Sequence, residues 1–154
     1  MRRAQVLGLV ALAGAAMTLT ACEKPPPGVS VFSGPASVRS EALCWAFESD
    51  QLTPGECAQE ILQGQPTGGI QNLSVTPGDT VGVSVDPVVA ESGWTISIGG
   101  QKLIETPLTT TYFRFTLPDL PSQLGTEQLP MQIIAGQNTK IRGVWIVGLQ
   151  PNAG

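Results

Sequence analysis

Residues 81–117 carry the pattern that most restricts the fold. Val81, Val83 and Val85 alternate with Gly82 and Ser84, and Trp94, Ile96 and Ile98 alternate with Thr95 and Ser97. Phe113, Phe115 and Leu117 then alternate with Arg114 and Thr116. Successive side chains of an extended backbone point to opposite faces, so a period of two predicts strands with one buried and one solvated face. Such strands need partners in a sheet and a second layer over their apolar side. Turn signals punctuate the runs: Pro77-Gly78-Asp79 before the first, Gly93 before the second, and Gly99-Gly100, a hairpin signal leading into 101–105.

The same reading extends along the chain. Strands are expected over 29–32, 37–47 (carrying Cys44 and Trp45), 70–76, 129–135 and 141–149, with a helical turn over 58–63. Polar loops fall at 49–55 and 64–69, and no internal repeat is present. Seven to nine short strands in one domain predict an all-β fold, an antiparallel β-sandwich of immunoglobulin-like plan, with a barrel as the structural rival. Cys44 and Cys57 are too close in sequence to form the inter-sheet bridge of antibody domains, so the prediction concerns architecture rather than family.

The N-terminal end reads as an address. Met1-Arg2-Arg3 is basic, and residues 6–19 are uncharged. That stretch is too short and too rich in Ala and Gly for a spanning helix, which wants about 20 apolar residues, but it suits the apolar core of an export signal. The segment ends Leu19-Thr20-Ala21-Cys22. Leu19 is wrong for an ordinary cleavage site after Ala21, and right for a lipobox. The segment thus resembles substrates of lipoprotein maturation. That likeness implies a diacylglycerol thioether on Cys22, which becomes the first mature residue, and two acyl chains suffice for stable anchoring. The alternatives are a plain secretory signal cut after Ala15, with Cys22 an incidental thiol, and an uncleaved anchor. Residues 1–21 are therefore expected to be a signal peptide and 22–28 a lipidated cysteine with a proline-rich tether. The sandwich would occupy 29–150, anchored at the extracytoplasmic face of a cell membrane. Three consecutive prolines favour polyproline II, at about 3.1 Å per residue.

Cleavage before Cys22 removes 21 of 154 residues, Arg2 and Arg3 among them, and leaves six basic and twelve acidic side chains, net −6. Scattered Lys and Arg in an acidic chain offer no footprint for nucleic acid and no polybasic stretch for an anionic bilayer, so the lipid would do the anchoring. With Cys22 lipidated, Cys44 and Cys57 form an even pair in an oxidising compartment. A disulfide between them closes a loop of about 14 residues and would stabilise by roughly 3 kcal/mol; two buried thiols are the alternative.

The chain has no histidine, which excludes Ser-His-Asp and Cys-His nucleophilic machinery, the usual zinc sets and blue-copper ligation. No P-loop or nucleotide-binding glycine fingerprint is present. Asp79, Asp86, Glu91 and Asp119 are the carboxylates that glycosidase chemistry would need, but most flank Pro or Gly, where Asp serves turn geometry. No catalytic residue, cofactor or metal ligand is assigned. Trp45, Trp94 and Trp145 each lie in an expected strand among apolar neighbours, which favours a core role over an exposed platform for glycan.

Pro77-Gly78-Asp79-Thr80-Val81 through Val85-Asp86, then Glu91-Ser92-Gly93-Trp94-Thr95, Thr111-Tyr112-Phe113 and Gly143-Val144-Trp145, resemble an uncharacterised family of actinobacterial lipoproteins catalogued as a domain of unknown function. The resemblance implies compartment and lineage and carries over no active site. Gly93-Trp94 is thinly similar to the chagasin-type inhibitors of cysteine proteases, which place an aromatic after a Gly-rich turn. The resulting expectation is a non-enzymatic, membrane-anchored binding or scaffold module of the cell envelope, whose partners are the bilayer, through Cys22, and an envelope protein or glycan. A chagasin-like inhibitor and a carboxylate-based polysaccharide enzyme are the alternatives.

Overall fold

A computed structural model describes residues 24–65, 68–119 and 128–152. Among these, ten strands and two short helices follow in the order β1 (Gly28–Ser33), β2 (Ala36–Glu41), β3 (Cys44–Trp45), α1 (Gln59–Leu62), β4 (Gln71–Val75), β5 (Thr80–Val85), α2 (Pro87–Ser92), β6 (Trp94–Ile98), β7 (Gln101–Lys102), β8 (Tyr112–Thr116), β9 (Leu129–Ala135) and β10 (Gly143–Pro151). The strands form a four-stranded sheet, β2-β1-β5-β8, and a six-stranded sheet, β3-β10-β9-β6-β7, with β4 also paired to β10. Every pairing is antiparallel except β4 with β10. The all-β sandwich expected from the alternating runs is present.

The core lies between the sheets, as the period-two runs require. Val29, Val31, Val81 and Val83 from one sheet meet Ile96, Met131, Ile133, Trp145, Val147 and Leu149 from the other, all at most 1% exposed. Polar positions of the same strands, such as Ser30, Ser84 and Ser97, are less buried. Gly82 is one glycine that the packing demands: a Cβ there would run into the Phe32 ring lying across it.

The strand count exceeds the expected seven to nine, and the expected strand over 37–47 shows why. It is two strands in different sheets. The Ala42 N–H still bonds the Pro27 carbonyl at the end of the first sheet, and the next N–H, of Leu43, bonds Val144 of β10. The chain changes sheets between these two residues, and no periodicity marks that step. β7, only two residues long, is the return arm of the Gly99-Gly100 hairpin.

β10 is buried on both faces. Its inner side chains join the main core, while Val144 and Ile146 enter a smaller cluster with Cys44 and Ile61, against which Leu52, Cys57 and Leu62 pack. The segment from β3 to α1 thus forms a cover over the outer face of β10. Cys44 and Cys57 are joined in a disulfide with a Cα–Cα distance of 5.5 Å, which closes that cover. Gln132 on β9 holds the far end of the cover: its Nε2 donates to the Ile61 and Leu62 carbonyls at 2.8 and 3.1 Å. These carbonyls lie in the last turn of α1, where a helix lacks its regular donors; Ile61 also accepts from the Gly64 N–H at 3.0 Å.

Candidate ligand-binding cleft

One end of the sandwich opens into a cleft of roughly 740 Å³, lined by the tether at Lys24 and Pro25–Pro27, by Arg39 and Glu41, by Trp45, Phe47 and Glu48, by Asp86 and Val88, and by Arg142. These residues come from the approach to β1, the ends of β2 and β3, the junction of β5 with α2, and the approach to β10. Five separate stretches of chain therefore converge where both sheets end.

The proline segment before β1 is bonded to the rest of the fold. The Trp145 indole Nε1–H donates to the Pro27 carbonyl at 3.0 Å in a buried bond, and the Ala42 N–H donates to the same oxygen at 3.2 Å. Gly28 follows in β1; its N–H donates to Asp86 Oδ2 at 2.7 Å, and its carbonyl accepts from the Asp86 N–H. Of the expected 22–28 spacer, Pro27 and Gly28 are bonded to the sandwich. The reason is a buried indole N–H that needs an acceptor. Cys22 lies outside the described residues.

The cleft holds an aromatic pair and an unusual cation. Trp94 and Trp145 are 0% exposed, as a core role predicts, and the Trp94 indole N–H donates to the Thr110 carbonyl at 2.8 Å. Gly93-Trp94 therefore presents no aromatic at the surface. Trp45 differs, being only partly buried. It pairs with Gly143 of β10 and packs against Trp145 with ring centroids 5.8 Å apart. A side chain at position 143 would collide with the Trp45 ring and crowd that of Trp145. Phe47, two residues on, is 44% exposed. The Arg142 guanidinium carbon lies 4.7 Å from the Trp45 ring centroid, and one of its terminal nitrogens donates to Ser92 Oγ at 3.0 Å. Its Nε is buried without a hydrogen-bond partner. Among the described residues, no carboxylate forms an ion pair with Arg142.

The other charges are exposed, except Asp86, which is half-buried. Arg39 and Asp86 form an ion pair at 3.1 Å across the rim, with both Asp86 oxygens accepting from the guanidinium. On the neighbouring loop, Lys140 pairs with Asp50 at 3.0 Å. The Lys140 hydrogen bond, and then its charge, hold the Asp50 carboxyl below its ordinary range.

The carboxylates singled out in the sequence do not assemble. Asp79 accepts the Thr76 N–H in its turn, Asp86 serves the tether, Glu91 sits exposed on α2, and Asp119 is exposed beyond β8. Among the described residues, no group of three or more His, Cys, Asp or Glu side chains is placed to hold a metal ion. Sequence reasoning missed Phe47 and Arg142, since a lone exposed aromatic and a single arginine before a strand carry no spacing signal. It also missed α2, for which the Asp86-Pro87 step, a helix-start pair, was a usable sign. Comparison with known protein families, curated proteins and solved structures returns no match to the chain.

Proposed function

We propose that the chain is a non-enzymatic binding or scaffold module, held by a diacylglycerol on Cys22 at the extracytoplasmic face of a bacterial cell membrane. In this reading it offers the Trp45–Arg142 cleft to an envelope component, a protein or a glycan. The carrying observation is where the cleft lies: its wall includes Lys24 and Pro25–Pro27, a few residues after the lipobox cysteine. From Cys22 to Pro27 an extended polyproline path spans only about 15 Å, so the cleft works close to the bilayer. The absence of histidine and the dispersal of the acidic residues favour binding over catalysis.

The test uses the full chain expressed in a high-GC Gram-positive host. Mass spectrometry of the mature N-terminus is expected to find Cys22 carrying a diacylglyceryl group, and Cys22→Ser is expected to leave the membrane fraction. A photo-crosslinking phenylalanine analogue at position 47 should give a discrete envelope adduct that the same analogue at position 101, in the β6–β7 hairpin, does not. Unmodified Cys22, or identical labelling from both positions, would sink the proposal.

A further inference from the structure

We infer that the cleft recognises a carboxylate next to an apolar group, as found on an acidic or C-terminal segment of a partner protein, with Arg142 as the carboxylate anchor. This deepens the proposed function and rests on the cleft being a binding site.

A guanidinium presents five N–H donors in a planar fork matched to a carboxylate. At Arg142 one terminal nitrogen is spent on a neutral hydroxyl, Ser92 Oγ, and Nε is buried with no partner. Taking a cation and its donors from water without a hydrogen-bonded counter-charge is costly, and an orphaned buried donor in a folded protein calls for an explanation. The Trp45 ring offsets a small part of that cost. A carboxylate arriving in the cleft would bring the counter-charge to the guanidinium and accept from its terminal N–H groups, in charge-assisted hydrogen bonds that offset the cost of the buried Nε.

The remaining lining specifies what the carboxylate is attached to. Pro25–Pro27, Phe47, Val88 and the exposed part of Trp45 offer apolar surface. Arg39 is already committed to Asp86. Few free side-chain hydroxyls or amides line the cleft to bond a ring of sugar hydroxyls, so an aromatic or aliphatic body fits better than a sugar acid. Glu41 and Glu48 also line it, but both are exposed, where water and salt screen their charge. The partly buried Arg142 is where a partner changes the energy most.

The test uses the mature lipidated chain in non-ionic detergent with ¹⁵N-labelled tryptophan. Its three indole N–H signals separate Trp45 from the two fully buried rings, and Trp45→Phe assigns the signal. The probes are N-acetyl-phenylalanine, its uncharged carboxamide, and glucuronate. N-acetyl-phenylalanine is expected to shift the Trp45 signal saturably, and the carboxamide to bind about tenfold more weakly or worse. Arg142→Gln should cost the acid a similar factor while leaving the Trp94 and Trp145 signals in place. Glucuronate should bind more weakly than N-acetyl-phenylalanine. Equal binding of acid and carboxamide, unaffected by Arg142→Gln, would overturn the carboxylate anchor while leaving the cleft as a binding site. Glucuronate binding as tightly as N-acetyl-phenylalanine would overturn the apolar body and point to glycan. If no probe moves Trp45 but the analogue at position 47 still gives its specific adduct, this inference fails alone. Silence in both experiments removes the proposed function too.

Discussion

Trp145→Phe tests whether the proline segment before β1 is part of the fold. The indole is 0% exposed, and its N–H bonds the Pro27 carbonyl at 3.0 Å. Phenylalanine keeps one ring and loses three ring atoms and the donor. At about 0.8 kcal/mol per buried CH₂-sized group, the lost atoms cost roughly 2 kcal/mol. The lost hydrogen bond adds about 1 kcal/mol, not more, because Pro27 retains the Ala42 N–H as a donor and no buried group is orphaned. The expected loss is about 3 kcal/mol, which for a urea slope of about 1.5 kcal/mol/M lowers the midpoint by about 2 M. A double-mutant cycle separates the bond from the packing. In a variant that starts at Gly28 the carbonyl is gone, so the same substitution should cost about 1 kcal/mol less than in the full chain. A loss below about 1 kcal/mol, or strict additivity with the truncation, would refute the docking of the tether onto Trp145.

Gly136→Ala should destabilise by about 2–4 kcal/mol, through strain at a positive φ and overpacking: the residue has φ 138°, and a Cβ would strike the Lys140 carbonyl. Thermal unfolding with calorimetry checks it, and an unchanged midpoint would count against the β9–β10 loop geometry. Replacing both Cys44 and Cys57 by serine should cost about 3 kcal/mol and raise proteolytic cleavage between residues 48 and 65 before the sandwich opens. Simultaneous loss of all regions would contradict the cover as a separate layer. Asp50 has a depressed folded-state pKa, so its contribution is complete above the unfolded value of about 3.9 and is lost as pH falls through the lower folded value. Any midpoint advantage of wild type over Asp50→Asn should therefore be constant from pH 7 to about pH 5 and vanish in stronger acid. An advantage that grows below pH 4 would reverse the assigned sign.

Much of the sandwich was readable because its main strands have unlike faces. β6 and β8 alternate cleanly, β5 does so except at Gly82, which Phe32 covers, and β9 runs over 129–135 as expected. Where one face does not differ from the other, the reading lost detail. β10 is apolar on both faces because a second layer covers it, so its pattern predicts a strand but not the cover. The 37–47 run kept an extended appearance through a change of sheet, since Ala42 and Leu43 are ordinary strand residues whose partners alone differ. The cleft was the least legible part. Trp45 shares its surroundings in sequence with Trp94 and Trp145, all among apolar neighbours. What exposes it is β3 ending after two residues at the rim of the sandwich, a property of the topology.

That topology also explains why the disulfide and the cleft belong to one construction. Residues 42–47 carry the chain from one sheet to the other, place Trp45 and Phe47 at the rim, and begin the cover that Cys44–Cys57 closes. Cys44 precedes Trp45 directly, and the two pair with Val144 and Gly143 of β10. Only two ladder residues fix β3, too few to hold a large aromatic in place unaided. The disulfide fixes the residue before Trp45, the bare backbone of Gly143 gives its ring a seat, and Arg142 lies over that ring. The Ala46 N–H bonds the Arg142 carbonyl at 2.8 Å, tying the two cleft-lining strands together next to the ring. Enlarging Gly143 would displace Trp45 and change the cleft while the main valine and isoleucine core remained, whereas cutting a core valine would weaken the whole sandwich and leave the rim geometry intact until it unfolds.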